Sequence, residues 1–176
     1  SREEGRPSTY SGHCRDAAAR EELGKDPTRK AVIRFRVPDN QGEIIVRDAV
    51  RGDVKFDAST LGDFVIVKSD GMPTYTLSNV VDDVTMKTSH IIRGEDLLPN
   101  TPNQIMLYEA FGATPPVFAH LSLILSPDRS KLSKRHGATS IAEFIEQGYL
   151  PEALTTFLAQ LGWSSPDGDE EGTLAQ

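Results

Sequence analysis

The spacing of apolar and polar residues changes several times along this chain, and each change predicts an element. From Ala31 to Lys68 the period is close to two. Ala31–Val37, Glu43–Asp48, Asp53–Phe56 and Phe64–Lys68 read as short strands, because alternation puts successive side chains on opposite faces of a sheet. Asp39-Asn-Gln-Gly42 and Arg51-Gly-Asp53 supply the turn chemistry between them. Before this β-rich stretch, Asp16–Leu23 has a short helical pattern stopped by Gly24. After it, Asp70-Gly-Met-Pro-Thr74 reads as a turn, and helical spacing runs from Tyr75 to about Met86.

The second half alternates strands with helices. His90-Ile-Ile-Arg-Gly94 reads as a buried strand ending in a tight turn. Thr101-Pro102-Asn-Gln104 has the form of a capping box, with proline in the first turn. The helix it opens runs to about Phe111 and stops at Gly112. Phe118–Leu125 is mostly apolar and reads as a strand. Strand, helix and strand over residues 89–125 make a βαβ unit, expected to be parallel and right-handed, which is half of a Rossmann-type nucleotide-binding fold. Ser140-Ile-Ala-Glu143 repeats the capping-box pattern, with Gly148 as the stop. Pro151–Leu161 predicts a further helix, ended by Gly162, whose Leu154, Phe157, Leu158 and Leu161 have core-facing spacing. Pro166–Gln176 is acidic and reads as a fraying tail.

Composition narrows the class without choosing a function. The chain has 176 residues, 38% hydrophobic and 26% charged, enough for one compact domain or two small ones. No apolar run approaches the roughly 20 residues needed to cross a bilayer, and no membrane partner is expected. The single cysteine, Cys14, cannot form an internal disulfide, which fits a reducing compartment. The net charge of −7 argues against a nucleic-acid partner, because phosphate binding needs clustered lysine and arginine. Its distribution softens that argument. Residues 1–36 hold nine Lys/Arg against six Asp/Glu, net +3, and the remainder holds ten against twenty.

Several residues could perform chemistry, and each also has a plain structural reading. Arg129, Lys131, Lys134, Arg135 and His136 sit on one predicted loop between a strand and a helix. They form either a solvated basic turn or a set of charges that meets a polyphosphate. Tyr75 and Asn79 are four apart and share one helix face. That pair suits a polar zwitterion such as an amino acid, or Tyr75 is a core residue with a satisfied hydroxyl. Arg93 follows an apolar pair, where an unpaired buried charge is costly. It binds a substrate carboxylate bidentately, or it pairs internally with Asp82, Asp83, Glu95 or Asp96. Arg47 and Arg51 flank a predicted hairpin and are either solvated or RNA-facing.

The order of residues in the basic loop adds information. Lys131-Leu-Ser-Lys-Arg135 resembles the Lys-Met-Ser-Lys-Ser signature of class I aminoacyl-tRNA synthetases. Lys131–Ala138 (KLSKRHGA) is similar to the form in bacterial-type glutamyl-tRNA synthetases. Asp70–Asp83 (DGMPTYTLSNVVDD), His90–Asp96 (HIIRGED), Asn100–Tyr108 (NTPNQIMLY), Phe118–His120 and Gly148–Trp163 (GYLPEALTTFLAQLGW) match the same family in the same order. Val46–Phe56 (VRDAVRGDVKF) resembles the Arg-Gly hairpin of its connective insertion.

The resemblance implies an α/β fold: the second half of a Rossmann-type parallel nucleotide-binding domain, a small β-rich α+β insertion, and the start of a helical domain. Residues 1–68 would belong to the insertion that holds the tRNA acceptor end, 69–138 to the catalytic half-fold with the KLSKR loop, and 139–176 to the helical stem-contact domain. Tyr75, Asn79 and Arg93 would hold glutamate. Asp96 and the backbone near Leu123 and Ile124 would meet ATP, together with Lys134. Lys131 and Lys134 would neutralise phosphate charge during catalysis, and Arg47 and Arg51 would face tRNA. ATP would be a substrate, accompanied by Mg2+.

Some relatives carry zinc near Cys14, with a histidine two residues later. Here that position is Asp16, and no zinc is expected, since such a site needs four ligands. Leu97 stands where the family commonly has histidine. The His-Ile-Gly-His type signature is also absent, which suggests a middle fragment of a longer cytoplasmic or organellar enzyme, inactive without its remainder. The alternatives are a non-catalytic tRNA-binding paralog and a ligase that glutamylates a modified tRNA base. The intact lysine loop argues against the latter.

Overall fold

The computed structural model describes residues 10–26, 28, 30–125 and 140–161. The predicted basic loop with Lys131 and Lys134, Gly162 and the acidic tail lie outside the described residues. The chain divides into two compact units, one of Ser1–Arg93 with Leu97–His120, the other of Gly94–Asp96 with Leu121–Gln176.

In the first unit, helix α1 (Ala17–Gly24) starts on Asp16, whose side chain accepts from the Ala18 and Ala19 amides. Strands β1 (Ile33–Phe35) and β4 (Phe64–Val67) form an antiparallel pair. Strands β2 (Glu43–Asp48) and β3 (Gly52–Asp57) form an antiparallel hairpin. β2 also runs parallel to β6 (Val117–Leu121), with Asp48 opposite Phe118. The four-stranded sheet has the order β3-β2-β6-β5, where β5 is His90–Gly94. The predicted βαβ strands are therefore neighbours, and the hairpin extends their sheet. β5 is at the sheet edge among the described residues. Its alternate positions are exposed, Ile92 to 67%, where a buried strand was expected.

Helices α2 (Tyr75–Met86) and α3 (Thr101–Ala110) pack in this unit. Val80, Leu107, Tyr108 and Phe118 form one buried cluster, and Val37, Ile44, Ala58 and Met106 form a second. Phe35 and Phe64 stack at 5.2 Å and pack against both. Strand β2 reads cleanly: Ile44, Val46 and Asp48 are buried, while Glu43, Ile45 and Arg47 are exposed. A carboxylate thus occupies an inward position.

Arg15 ties the segment before α1 to the strands. Its Nε and Nη2 reach Asp63 Oδ2 and Oδ1 at 2.7 and 2.6 Å, a bidentate pair. Nη1 pairs with Asp39, and the Val37 amide donates to Asp63 at 2.9 Å. Hydrogen bonding from Arg15 holds the Asp63 carboxyl below the usual carboxylate range, against the opposing effect of burial. A lowered folded-state pKa gives stability that is complete above the unfolded value and is lost as pH falls through the folded one. We therefore expect the melting temperature to hold from pH 6 to about pH 4 and to drop below it. Asp63→Asn should lower it at pH 6 and flatten the acid limb. Thermal unfolding against pH checks both.

In the second unit, α4 (Ile141–Glu146) opens with the predicted capping box. Ser140 accepts from the Glu143 amide, and the Glu143 side chain accepts from the Ser140 amide at 2.9 Å. Helix α5 (Pro151–Gln160) starts on proline. Its apolar face was expected to be buried, yet Phe157 is 58% and Leu158 47% exposed.

Candidate functional site

Arg93, near the end of β5, is held in three directions. Its Nε donates to His120 Nε2 at 3.0 Å. Its Nη2 donates to Thr101 Oγ1 at 2.9 Å and to Gln104 Oε1 at 2.7 Å. The guanidinium carbon stands 5.6 Å over the Phe118 ring. Every one of these acceptors is neutral. Among the described residues none of Asp82, Asp83, Glu95 or Asp96 bonds to Arg93, so the internal ion pair that the sequence left open is not made. Burial works against the guanidinium charge, while Tyr75, Tyr108 and Asp83 work for it, and the balance leaves the pKa below the ordinary arginine value. A half-buried cation with no direct carboxylate partner is well placed to accept one from a ligand.

The bonding also limits how a carboxylate can arrive. Both Nη2 hydrogens and the Nε hydrogen are engaged, so the fork across Nε and Nη2 is closed, and His120, Thr101 and Gln104 leave Nη1 uncovered; the Tyr75 hydroxyl also lies within reach of the guanidinium. The same bonds correct the reading of Thr101 and Gln104. They form no capping box: Asn100 is the N-cap, with no side-chain cap bond. Their oxygens face Arg93 instead, and the guanidinium, which only donates, decides the orientation. Gln104 is 1% exposed and its Nε2 has no partner among the described residues. Turning the amide over would satisfy nothing, because it would set an NH2 group against Arg93.

Tyr75 and Asn79 lie on α2 as predicted. Tyr75 is 52% exposed, and its hydroxyl supports the Arg93 charge, so the structure brings these two together. Asn79 is half-buried, and no side-chain hydrogen bond of it is made to another described residue. Further back, Tyr108 donates to Asp83 at 2.9 Å. Burial first, and then that carboxylate, push the Tyr108 hydroxyl well above its ordinary pKa.

Of the residues expected from sequence to meet ATP, Asp96, Leu123 and Ile124 lie in the second unit. Gly94, Asp96 and Leu123 are packed closely: a Cβ added at Gly94 would fall 2.6 Å from Asp96 Oδ1 and 3.3 Å from Leu123 Cδ2. Only glycine leaves the Asp96 carboxylate where it is. The Leu123 amide donates to Glu95 Oε1 at 3.3 Å, and Ile124 is 42% exposed. Of the hairpin arginines, Arg47 is exposed, and Arg51 donates through Nε to the His120 carbonyl at 3.3 Å. Cys14 is half-buried, its amide donating to the Tyr10 hydroxyl at 2.5 Å.

Two residues escaped sequence reasoning. Asp48 and His120 are both buried behind Arg93, with His120 Nδ1 2.6 Å from Asp48 Oδ2. Parity was a signal for both: Asp48 alternates with Ile44 and Val46, and His120 with Phe118, so both point inward; the Phe118–His120 match marked the second without giving it a role.

A mixed sheet with an arginine near one strand end, together with helices that pack in the same unit, is an α/β fold of the Rossmann-like class. The chain belongs to the class I tRNA synthetases (E and Q), catalytic domain, matching that family over residues 1–174. It is 55% identical over 170 residues to a glutamate–tRNA ligase of Heliobacterium modesticaldum, covering 96% of this chain and 34% of that one. It is 54% identical over 168 residues to glutamate–tRNA ligase 1 of Caldanaerobacter subterraneus subsp. tengcongensis, covering 95% and 35%. The crystal structure of a glutamate tRNA ligase from Elizabethkingia meningosepticum in complex with its amino acid is similar, with a TM-score of 0.72 and 38% identity over 95% of this chain and 38% of that one. The chain thus spans about a third of the length of these curated relatives. No described helix is long and apolar enough to cross a membrane.

Proposed function

We propose that this chain is a segment of a glutamate–tRNA ligase working in the cytoplasm or in an organelle of bacterial descent. The observation that carries this reading is Arg93, a half-buried guanidinium whose hydrogen-bond acceptors among the described residues are all neutral, with Tyr75 close to it. Arg93, Tyr75 and Asn79 hold glutamate. Asp96 and the backbone near Leu123 and Ile124 meet ATP, and Lys131 and Lys134 meet its phosphates. Arg47 and Arg51 approach the tRNA acceptor end. The division at residues 1–68, 69–138 and 139–176 belongs to the same reading.

The glutamate carboxylate attacks the α-phosphate of ATP, the bond to pyrophosphate breaks, and glutamyl-adenylate forms. A ribose hydroxyl of the terminal tRNA adenosine then takes the glutamyl group, and AMP leaves. No protein nucleophile takes part, so the protein contributes positioning and charge stabilisation. Magnesium enters with the ATP phosphates. Among the described residues no three His, Cys, Asp or Glu side chains converge as a metal site.

Exchange of labelled pyrophosphate into ATP tests this. The full-length protein should show exchange that requires glutamate. The isolated chain should stay far below the roughly 1 per second of an ordinary enzyme, for want of the histidine signature. Exchange in the full-length protein that ignores glutamate, or vigorous exchange by the isolated chain, contradicts the reading.

A further inference from the structure

Asp48 and His120 are 72 residues apart in sequence, and both side chains are wholly shielded from solvent. Asp48 accepts from the His120 amide at 3.2 and 3.1 Å through its two oxygens, and from the Val50 and Arg51 amides at 3.0 Å each. A carboxylate with so many donors is ionised. It can only accept, so the short contact to His120 requires a proton on Nδ1. Arg93 Nε can only donate, so His120 Nε2 must accept and carries none. The two ends of the network therefore assign one species to His120, the neutral Nδ1–H tautomer. Thr101 Oγ1, 3.3 Å from the same Nε2, adds a second contact there.

This arrangement does two things for Arg93. The bond at Nε, with the pair of bonds at Nη2, fixes the plane of the guanidinium and leaves Nη1 clear of His120, Thr101 and Gln104. The Asp48 charge, one imidazole away, is a counter-charge that does not compete for Nη1. A carboxylate bonded directly to Arg93 would satisfy the cation and block a ligand.

We propose that Asp48 and His120 are a positioning pair that orients and charge-balances Arg93 for the substrate carboxylate. The proposal rests on the reading that Arg93 binds glutamate. Asp48→Asn separates the two ideas. Asparagine has the same shape but must turn an NH2 group somewhere. Facing the Val50 and Arg51 amides, it meets donors that cannot change. Facing His120, it forces the proton from Nδ1 to Nε2, where it opposes the Arg93 Nε–H. An analogous carboxylate-to-amide change behind a catalytic histidine acts through the wrong tautomer.

In the full-length protein, Asp48→Asn should raise the KM for glutamate about tenfold or more while the KM for ATP stays within about twofold. Loss of fold alone would lower the active fraction and leave both KM values unchanged. Arg93→Ala is measured in parallel. If it leaves the glutamate KM unchanged, the reading of Arg93 itself fails. If it raises that KM and Asp48→Asn does not, the positioning proposal fails alone. An independent check needs no folded variant: 15N spectra of histidine-labelled wild-type protein at neutral pH should show a neutral, Nδ1-protonated imidazole for His120. An Nε2–H tautomer or an imidazolium at His120 overturns the proposal.

Discussion

Replacing Arg93 with alanine in the full-length protein should raise the KM for glutamate by about ten- to a hundredfold and leave the KM for ATP near its starting value. The size follows from a hydrogen bond to a charged group, worth about 1.5–3 kcal/mol. Two features of the site favour the upper part of that range. Among the described residues no carboxylate bonds directly to Arg93, so a substrate carboxylate meets no competitor there. Its acceptors His120, Thr101 and Gln104 are buried, and truncation leaves them facing a void. Some loss of thermal stability should therefore accompany the kinetic change. Arg93→Lys should recover only part of the affinity, because one ammonium cannot reach His120, Gln104 and a ligand together. Steady-state kinetics with each substrate varied in turn decides the matter. An unchanged glutamate KM in a protein that merely melts early would make Arg93 a structural residue.

The second large effect is expected at Lys134, which lies outside the described residues and is argued from its place in the KLSKR sequence. Lys134→Ala in the full-length protein should slow adenylate formation about a hundredfold while ATP binding weakens far less. An interaction made mainly at the barrier lowers the rate without matching loss of ground-state affinity. Removing one such electrostatic donor costs about 2.7–4 kcal/mol in a well-studied hydrolase. The low end applies here because Lys131, Arg135 and the magnesium bound with ATP share the charge. Single-turnover kinetics isolates the chemical step. A raised ATP dissociation constant with an untouched step would make Lys134 a binding residue.

Local grammar made part of this fold legible. Helix α2 falls on Tyr75–Met86 and β2 on Glu43–Asp48, as their spacing predicts, because apolar period and turn residues act over a few positions. Ser140 and Glu143 form the capping box their sequence promises. Thr101 and Gln104 have the same local pattern and do not. What separates the two cases is Arg93, eight and eleven residues away, whose fixed donors outcompete the helix terminus. A window reading cannot see that competitor. Asp48 and His120 were hidden for a related reason. Their pairing depends on the register that sets Asp48 opposite Phe118, a property of the folded sheet. The apolar spacing of α5 predicts a core-facing stripe, yet Phe157 and Leu158 are exposed: spacing says that a face is apolar and not what covers it.

The central claim is that the protein holds Arg93 ready for the carboxylate of glutamate. A crystal structure of the full-length protein with glutamate bound tests it most directly. The account predicts a glutamate carboxylate oxygen about 3 Å from Arg93 Nη1, with the bonds from Arg93 to His120, Thr101 and Gln104 kept. Glutamate bound with no carboxylate oxygen near Arg93, or an arginine swung away from His120 to reach it, would contradict the account.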